Sequence, residues 1–353
     1  MKIAALVSGG VDSSVALRRL VDDGHEVTAF YLKIWLEEEF AFLGECPWEE
    51  DLSFARQVCD AVGVELKVIS LQKAYWDRVV SHTVKELKAG RTPSPDILCN
   101  QRVKFGAFVD HIDDSFEKIA TGHYARVCEK DGLYWLEKGI DPIKDQTYFL
   151  SHLSQKQLSR CLFPIGDFPK AEVRDMAELY NLPNKARKDS QGICFLGKIK
   201  YSDFVRCHLG EKIGDIIDED TDKTIGQHKG YWFHTIGQRK GLGLGGGPWF
   251  VVRKEVENNR IYVSRRLKES PNISRFTVSP IHWLAEGRMD DLTVKIRHGE
   301  ATLPCEISEK DGYPLVQMEE GDAGVAPGQY AVFYQGHTCL GGATIHAPVY
   351  DPR

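Results

Sequence analysis

Apolar positions in the first third of the chain fall into short runs separated by amphipathic stretches. Residues 3–7 form an unbroken apolar run, which predicts a buried strand, and residues 15–20 resume with the spacing of a helix. Further apolar runs at 26–35 and 65–71 predict the next two strands, each preceded by a helical stretch. This alternation predicts an α/β fold, a doubly wound parallel sheet with helices on both faces.

The pattern changes after about residue 200. From residue 210 onward, glycines and short β-rich runs replace the amphipathic helices, which predicts small β domains. Boundaries near 197 and 271 divide the chain into an α/β domain (1–197), a central β-rich domain (198–271) and a C-terminal domain (272–353). The runs that predict a small closed β barrel in the last domain are 291–297, 301–307, 329–334 and 339–345.

The turn after the first strand carries the clearest chemical signal. It contains Gly9 and Gly10 and three serines, and it leads directly into a predicted helix at 11–22. Glycines let the backbone approach a phosphate, and the first amides of a helix point at an anion bound there. The lysine of the G-x-x-x-x-G-K-[ST] pattern is absent. The turn resembles the SGGxDS pyrophosphate loop of enzymes that split ATP into AMP and pyrophosphate, with Asp12 suited to hold Mg²⁺, although a glycine-rich turn without a ligand is the alternative.

Composition limits the class of protein. The 353 residues are 42% hydrophobic and carry a net charge of −6, which suits a globular enzyme and excludes a uniformly basic nucleic-acid coat. We expect a cytoplasmic protein without a membrane partner, because no apolar run approaches the length of a membrane span and the first strand begins near the start. Nine scattered cysteines without a C-x-x-C pair predict neither a disulfide framework nor a metal site.

Cys99 is a candidate nucleophile. Two prolines in the stretch 91–98 predict an extended segment, and a helix is then expected over 101–113, capped by Asn100 or by Cys99 itself. A cysteine at a helix start has a lowered pKa and more thiolate. Asp96, three residues earlier, could exchange protons with a bound substrate. The alternative is a small buried cysteine at a turn.

Further polar segments follow. His123 lies in TGHYAR after a predicted strand at 118–120, and Lys144-Asp145-Gln146 offers three different side chains on one turn. Cys194 lies on a polar, glycine-containing loop with two basic residues nearby, surroundings that favour the thiolate. A structural histidine and a plain surface loop are the alternatives for the first two segments.

A basic stretch marks the central domain. Between residues 223 and 268 there are ten Lys or Arg against Glu255 and Glu257, a balance of +8. The stretch contains the glycine-rich segment 234–247, which we interpret as a surface for nucleic-acid phosphates rather than a solvated linker.

Six motifs occur in the order and spacing of the tRNA-specific 2-thiouridylase family, and the chain is similar to that family over essentially its whole length. They are SGGVDSS, PSPDILCN, TGHYAR, KDQTYFL, DSQGICF and TIGQRKGLG. The resemblance implies a pyrophosphate-loop (adenine nucleotide α-hydrolase-like) domain, followed by two β-rich domains that bind tRNA. It also implies transfer of sulfur to C2 of the wobble uridine in the tRNAs for lysine, glutamate and glutamine, with ATP and Mg²⁺, releasing AMP and pyrophosphate.

The resemblance also implies roles for single residues. Cys99 matches the family's nucleophile and Cys194 the cysteine that carries a persulfide, and the two can close a disulfide during turnover. Asp96 stands where relatives with an iron–sulfur cluster have a cysteine, which argues against a cluster here. Nucleotide-contacting positions match Leu6, Val7, Ser8, Gly9, Gly10, Val11, Asp12, Ser13, Leu32 and Gly122. Positions that contact tRNA match Ser94, Pro95, Asp96, His123, Lys144, Asp145, Gln146, Arg297, His298 and Gln329.

Two positions depart from the family pattern, and neither puts the activity in doubt. Ser94 replaces the usual Asn and Leu32 the usual Met, and both changes keep approximate size or polarity. The implied partners are tRNA and a cysteine desulfurase or a sulfur-relay protein as donor. Whether Cys99 releases sulfide from the persulfide or assists its direct transfer stays open. Two alternative functions are an AMP-forming synthetase that acts on a small molecule and a non-catalytic RNA-binding protein.

Overall fold

The computed structural model describes residues 1–34, 47–189, 200–265, 273–285, 290–322 and 324–349. Its strands are β1 (Lys2–Leu6), β2 (Glu26–Lys33), β3 (Leu66–Ser70), β4 (Lys118–Ala120), β5 (Ala125–Lys130), β6 (Leu133–Lys138), β7 (Cys161–Leu162), β8 (Gly214–Asp218), β9 (Lys223–His228), β10 (Phe250–Glu255), β11 (Arg260–Ser264), β12 (Ile273–Val278), β13 (His282–Trp283), β14 (Leu292–Lys295), β15 (Leu303–Lys310), β16 (Tyr313–Asp322), β17 (Tyr330–Gln335) and β18 (Thr338–Pro348).

Helices surround the first sheet and lead into the second domain. The α-helices are Val11–Asp22, Pro47–Val62, Gln72–Tyr75, Ser81–Lys88, Pro95–Cys99, Thr147–Leu150, Gln155–Leu158, Lys170–Leu179 and Tyr201–Leu209. Two π-helical turns, Trp76–Val80 and Asn100–Lys104, continue α-helices, and 3₁₀ turns lie at Ala107–His111 and Tyr231–Phe233. Within the described ranges, no helix is both long and apolar enough to cross a membrane.

The N-terminal sheet is parallel, with strand order β3-β2-β1-β4-β7. Alternate residues of β1 enter different cores, because successive side chains of a strand point to opposite faces. Ile3 and Ala5 pack with the helices Val11–Asp22 and Pro47–Val62, whereas Ala4 packs on the opposite face. Helices therefore cover both faces, and the predicted doubly wound α/β fold is confirmed.

The two β-rich regions follow as predicted. The middle region is a four-stranded sheet with order β10-β11-β8-β9. The last region is a six-stranded closed barrel, β12-β16-β15-β14-β17-β18, which closes where β18 pairs with β12. The β-rich architecture and the C-terminal barrel are confirmed, whereas both predicted boundaries, at 197 and 271, lie outside the described residues and stay predictions.

The barrel packs directly against the α/β domain through β17. Ala331 and Phe333 belong to the barrel interior, whereas the alternate residues Tyr330, Val332 and Tyr334 belong to the core of the α/β domain. In addition, the hairpin β5–β6 pairs with the barrel strand β18. Strand β17 is therefore buried on both faces, and the barrel shares a core with the α/β domain.

The helix around Cys99 differs from the prediction. We expected an extended segment before a helix at 101–113, but the helix already begins at Pro95, and Cys99 is its last α-helical residue before the π turn Asn100–Lys104. Proline suits the first position of a helix because its missing N–H is not needed there. Cys99 is therefore not at a helix start, and the argument for a lowered pKa from the helix dipole is wrong.

The amphipathic spacing of residues 155–161 predicts a helix over that whole range, but the helix in the structure is shorter. It ends at Leu158, after a capping box formed by Ser154 and Gln157. Cys161 and Leu162 instead form β7, the edge strand that pairs with Ile119 and Ala120 of β4. Tertiary pairing decided the conformation of this short apolar segment, which helical spacing alone had assigned to a helix.

Candidate active site

The glycine turn connects β1 to the first helix at the carboxyl edge of the sheet. Gly9 has a φ of 74°, in the left-handed region, and a Cβ there would overlap the carbonyl oxygen of Asp51. Gly10 is the N-cap, and its residue type offers no side chain to cap the helix. The first amides of the helix are thus free of a side-chain cap, which leaves them as donors for an anion.

Serine hydroxyls and neighbouring side chains hold the turn from behind. Ser13 Oγ donates to Gly10 O at 3.0 Å and accepts from Ser8 N at 3.2 Å. Asn184 Nδ2 donates to Gly9 O at 2.8 Å, and Arg187 Nη1 donates to the same oxygen at 3.0 Å. The carbonyl oxygens of Gly9 and Gly10 therefore accept hydrogen bonds from side chains, and these bonds fix the shape of the turn.

Asp12 is held by two donors that the sequence analysis missed. Tyr124 Oη donates to Asp12 Oδ1 at 2.8 Å, and Lys170 Nζ donates to the same oxygen at 2.6 Å. Burial raises the pKa of Tyr124 well above its usual range, and the Asp12 charge raises it further, so the phenol stays a donor. Among the described residues, Oδ2 of Asp12 accepts no hydrogen bond.

Lys170 extends this contact into a charge cluster. Its Nζ lies 2.9 Å from Asp189, which also binds Lys144 at 2.9 Å and Arg174. Burial alone would raise the pKa of Asp189, but hydrogen bonds from Lys144 and Lys170 hold it well below the usual range. A cation of low exposure therefore lies beside the glycine turn, contributed by a distant helix rather than by the turn itself.

Gly122 and Leu32 lie close to the turn. A Cβ at Gly122 would lie 2.7 Å from Ser13 N and 2.8 Å from Asp12 C, so only glycine permits this approach of β4's loop to the first helix. Leu32, near the end of β2, is partly buried against the core of the α/β domain. Both positions lie at the carboxyl ends of parallel strands, Leu32 in β2 and Gly122 directly after β4.

His123 is a partly buried, neutral imidazole. Its Nδ1 shares a 2.6 Å hydrogen bond with Thr121 Oγ1, and its ring lies 5.9 Å from that of Phe163. Burial lowers its pKa well below the usual range, and Lys104 lowers it further. The ring is therefore uncharged at neutral pH and can offer a ligand a hydrogen bond but no charge.

Cys99 is almost fully buried, at 1% exposure, in the core of the α/β domain. Asp96, on the same five-residue helix, is partly exposed. Residues three apart lie on one face of a helix, so Asp96 and Cys99 share a face of this helix. Cys194, predicted to carry the persulfide, lies outside the described residues.

The segment Lys144-Asp145-Gln146 makes contacts within the protein. Lys144 binds Asp189, as described above, and Gln146 Oε1 accepts from Tyr124 N at 3.0 Å. Asp145 is 2% exposed and forms a 3.0 Å ion pair with the barrel residue Lys295, whose side chain is 1% exposed. This buried pair joins the α/β domain to the barrel.

The predicted tRNA contacts of the barrel also lie at this junction. His298 Nε2 is 3.1 Å from Asp145 O, and its ring stacks on Phe149 with centroids 4.6 Å apart. Arg297 makes two hydrogen bonds to Asp322, at 2.7 and 2.8 Å. Gln329 Nε2 donates to backbone carbonyls of residues 92 and 93. His298 and Gln329 therefore contact the α/β domain, whereas Arg297 bonds to a residue of the barrel.

The remaining predicted tRNA contacts, Ser94 and Pro95, open that helix. Ser94 is its N-cap, at 9% exposure, and makes no side-chain cap hydrogen bond, and Pro95 is its first residue. They therefore share one short helix with Asp96 and Cys99.

The family profiles match the chain in three consecutive pieces. The profile described as "tRNA methyl transferase HUP domain" matches residues 1–198, "tRNA methyl transferase PRC-barrel domain" matches 202–265, and "Aminomethyltransferase beta-barrel domain" matches 273–345.

Curated relatives match the chain over nearly its whole length. A protein named tRNA-specific 2-thiouridylase MnmA from Parabacteroides distasonis is 45% identical, over 98% of this chain and 99% of its own. The chain belongs to the tRNA-specific 2-thiouridylase family. Further members from Bacteroides thetaiotaomicron and Porphyromonas gingivalis are each 45% identical, again over 98% of this chain and 99% of theirs.

The part of the chain that the structure describes contains no preformed metal centre. No group of three or more His, Cys, Asp or Glu side chains lies close enough there to hold a metal ion. Asp12 is an acidic side chain in the first turn of the helix Val11–Asp22.

Proposed function

We propose that the protein catalyses ATP-dependent 2-thiolation of the wobble uridine in the tRNAs for lysine, glutamate and glutamine. The observation that carries this proposal is the anion cradle at the end of β1, a strand whose Ala4 packs in the same core as Cys99. Its support from similarity is the name of the full-length relatives. The alternative, a synthetase that acts on a small molecule, gives no role to Cys99 or Cys194.

ATP fits the turn as a substrate. The uncapped amides at the start of the helix Val11–Asp22 would receive its phosphates, and Gly9, Gly10 and Gly122 would allow the close approach. Lys170 would add the positive charge that the turn itself lacks. Leu32 and Gly122 are the proposed neighbours of the nucleoside, and the eight residues from Leu6 to Ser13 would surround the phosphates.

Asp12 would hold Mg²⁺ together with phosphate oxygens. This ion is commonly bound through one or two carboxylates plus substrate phosphates, and Asp12 Oδ2 has no donor among the described residues. When bound, the ion would neutralise charge on the phosphates. Lys170 stays bonded to Oδ1 of the same carboxylate, so Asp12 is oriented before any ligand arrives.

The proposed reaction has two steps. The O2 atom of the uridine attacks the α-phosphate of ATP, an O–P bond forms, and pyrophosphate leaves. Sulfur from a persulfide on Cys194 then attacks C2, and AMP leaves with the former uridine oxygen. Asp96 would exchange a proton with the base, and its position on the face of the helix that carries Cys99 supports this role.

Cys99 completes the electron balance. Its thiolate attacks Cys194 either before or after sulfur reaches C2, and both orders leave a disulfide between the two cysteines and the sulfur on the base. An external thiol then reduces the disulfide. A cysteine desulfurase or a sulfur-relay protein is the proposed donor of the persulfide.

The RNA must place its base in this buried site. Flipping a base out of its stack costs a few kcal/mol, which contacts to the stem and loop offset. The proposed contacts are Ser94, Pro95, Asp96, His123, Lys144, Asp145, Gln146, Arg297, His298 and Gln329.

Nucleoside mass spectrometry tests the proposal. Unmodified tRNA for glutamate is incubated with the protein, Mg-ATP and a persulfide donor, and 2-thiouridine is measured. We expect product that requires ATP, that is abolished by Cys194→Ala and by Cys99→Ala, and that survives in Cys128→Ser, an exposed cysteine of β5. Absence of 2-thiouridine with a donor that is competent on a known 2-thiouridylase would contradict the proposal.

A further inference from the structure

The segment that leads into the Cys99 helix has no regular structure of its own. Residues 91–94 join the helix Ser81–Lys88 to the helix Pro95–Cys99, and residues 93–95 are buried. Pro93 and Pro95 have no backbone N–H, so the segment cannot build a ladder of its own. Buried carbonyls there need partners from elsewhere in the protein.

The C-terminal barrel supplies those partners. Gln329 Nε2 donates to Thr92 O at 2.9 Å and to Pro93 O at 3.2 Å. In return, Thr92 N donates to Pro327 O at 2.8 Å. Three hydrogen bonds therefore connect two successive residues of the segment with one turn of the barrel.

That barrel turn is itself fixed. Gln329 N donates to Ala326 O at 3.1 Å, and Gln329 O accepts from Ile345 N of β18 at 2.7 Å. Gly328 has a φ of 91°, and a Cβ there would lie 2.9 Å from Thr92 N. The turn is therefore rigid and lies against the segment so closely that only glycine fits.

We infer that Gln329 is a positioning residue, which holds the start of the Pro95–Cys99 helix and thereby places Asp96 and Cys99. The helix has only five residues, so the position of its last residue follows from the position of its first. The chemical significance of this role rests on the proposed function, whereas the contact itself does not.

A direct contact with tRNA is the competing role for Gln329. Its amide nitrogen has two hydrogens, and both are used by the carbonyls of Thr92 and Pro93. Only Oε1 is left to meet RNA. The two roles therefore predict different effects of removing the amide.

The first experiment measures how fast Cys99 reacts in the free protein. Wild type, Gln329→Ala and Gln329→Glu are treated with iodoacetamide, and labelling of Cys99 is followed by mass spectrometry. The buried cysteines Cys161 and Cys339 serve as internal references for global opening. Gln335→Ala is the matched control, because this barrel glutamine also donates to a backbone carbonyl, that of Asp290, away from the segment.

We expect Cys99 to be labelled about tenfold faster in both Gln329 variants, because a loosened helix start opens locally more often. Labelling of the reference cysteines, and every rate in Gln335→Ala, should match wild type. Unchanged labelling of Cys99 in both Gln329 variants would overturn the inference. Equally faster labelling of Cys99, Cys161 and Cys339 would also overturn the inference, because that pattern indicates general unfolding.

The second experiment separates kcat from tRNA affinity. A positioning role predicts that kcat for 2-thiouridine formation falls about tenfold in Gln329→Glu, with the Kd for tRNA unchanged. A weaker Kd with unchanged kcat would instead assign Gln329 to RNA contact. If wild type forms no 2-thiouridine, the proposed function fails, and the labelling experiment still decides the role of Gln329.

Discussion

Lys170 provides the most direct test of the site, because among the residues that the structure describes it is the one cation that bonds to Asp12. We consider Lys170→Met, which keeps the length and apolar stem of the side chain and removes the charge. The substitution leaves Asp189 with Lys144 and Arg174, whereas Tyr124 becomes the one described donor to the Asp12 carboxylate. Two carboxylates that shared one ammonium would then face each other's charge.

The expected loss of stability follows from burial. Removing one partner of a fully buried ion pair costs about 3–5 kcal/mol, and exposed pairs contribute about 0.2–1 kcal/mol. Lys170 is 13% exposed, whereas Asp12 and Asp189 are 32% and 26% exposed, so solvent screens the carboxylates in part. We therefore expect a loss of about 1–2 kcal/mol, between those limits.

The assay has a stability arm and a nucleotide arm. Thermal unfolding should show a lower Tm for Lys170→Met, and equilibrium dialysis should show an affinity for ATP that is about tenfold weaker, which corresponds to about 1.4 kcal/mol. Lys185→Met is the matched control, because its 2.9 Å pair with Glu178 is more exposed and involves neither Asp12 nor Asp189. Equal effects in the two variants, or unchanged ATP affinity in Lys170→Met, would refute the reasoning.

Three further predictions concern the domain junction, the charge cluster and the turn. Asp145→Ala should destabilise the protein by about 3–5 kcal/mol, because Lys295 stays buried without a partner, and Asp145→Leu with Lys295→Met should recover most of the loss in urea unfolding. The pKa of Asp189 is lowered in the folded state. The ionised Asp189 therefore stabilises the folded protein fully above the unfolded pKa of about 4, and this stabilisation is lost as the pH falls through the folded value. The Tm difference between wild type and Asp189→Asn should accordingly shrink in acid. Gly122→Ala should weaken ATP binding about tenfold or more in equilibrium dialysis with far-UV circular dichroism unchanged, and wild-type affinity would contradict the close approach at the turn.

Local patterns were sufficient for the first layer of the fold. The apolar run at 3–7 and the helical spacing at 15–20 predicted β1 and the helix Val11–Asp22, because strand and helix periods are properties of neighbouring residues. The Cys99 helix was misplaced by local reasoning of the same kind. Pro95 was interpreted as keeping the chain extended, although proline equally begins a helix.

Long-range partners were beyond the sequence. Asp145 looked like one of three polar side chains on a loop, and its buried partner Lys295 is 150 residues away. Lys170 likewise belongs to an ordinary amphipathic helix, and only the fold brings it to Asp12, 158 residues earlier. Nothing in the sequence around Lys170, the first residue of that helix, indicates this contact. Pairings of this length depend on domain packing, which periodicity does not encode.

The pairing of β6 with β18 has a consequence for how the chain is made. Glu137 and Leu136 pair with Thr338 and Cys339, about 200 residues later. At the usual rate of synthesis, about 5–20 residues per second, β6 therefore stays unpaired on its outer edge for roughly 10–40 s before β18 is synthesised. An unpaired edge invites aggregation, and charged side chains on it, here Glu137 and Lys138, discourage association with other chains. Glu137 and Lys138 thus discourage aggregation of the nascent chain until β18 pairs with β6.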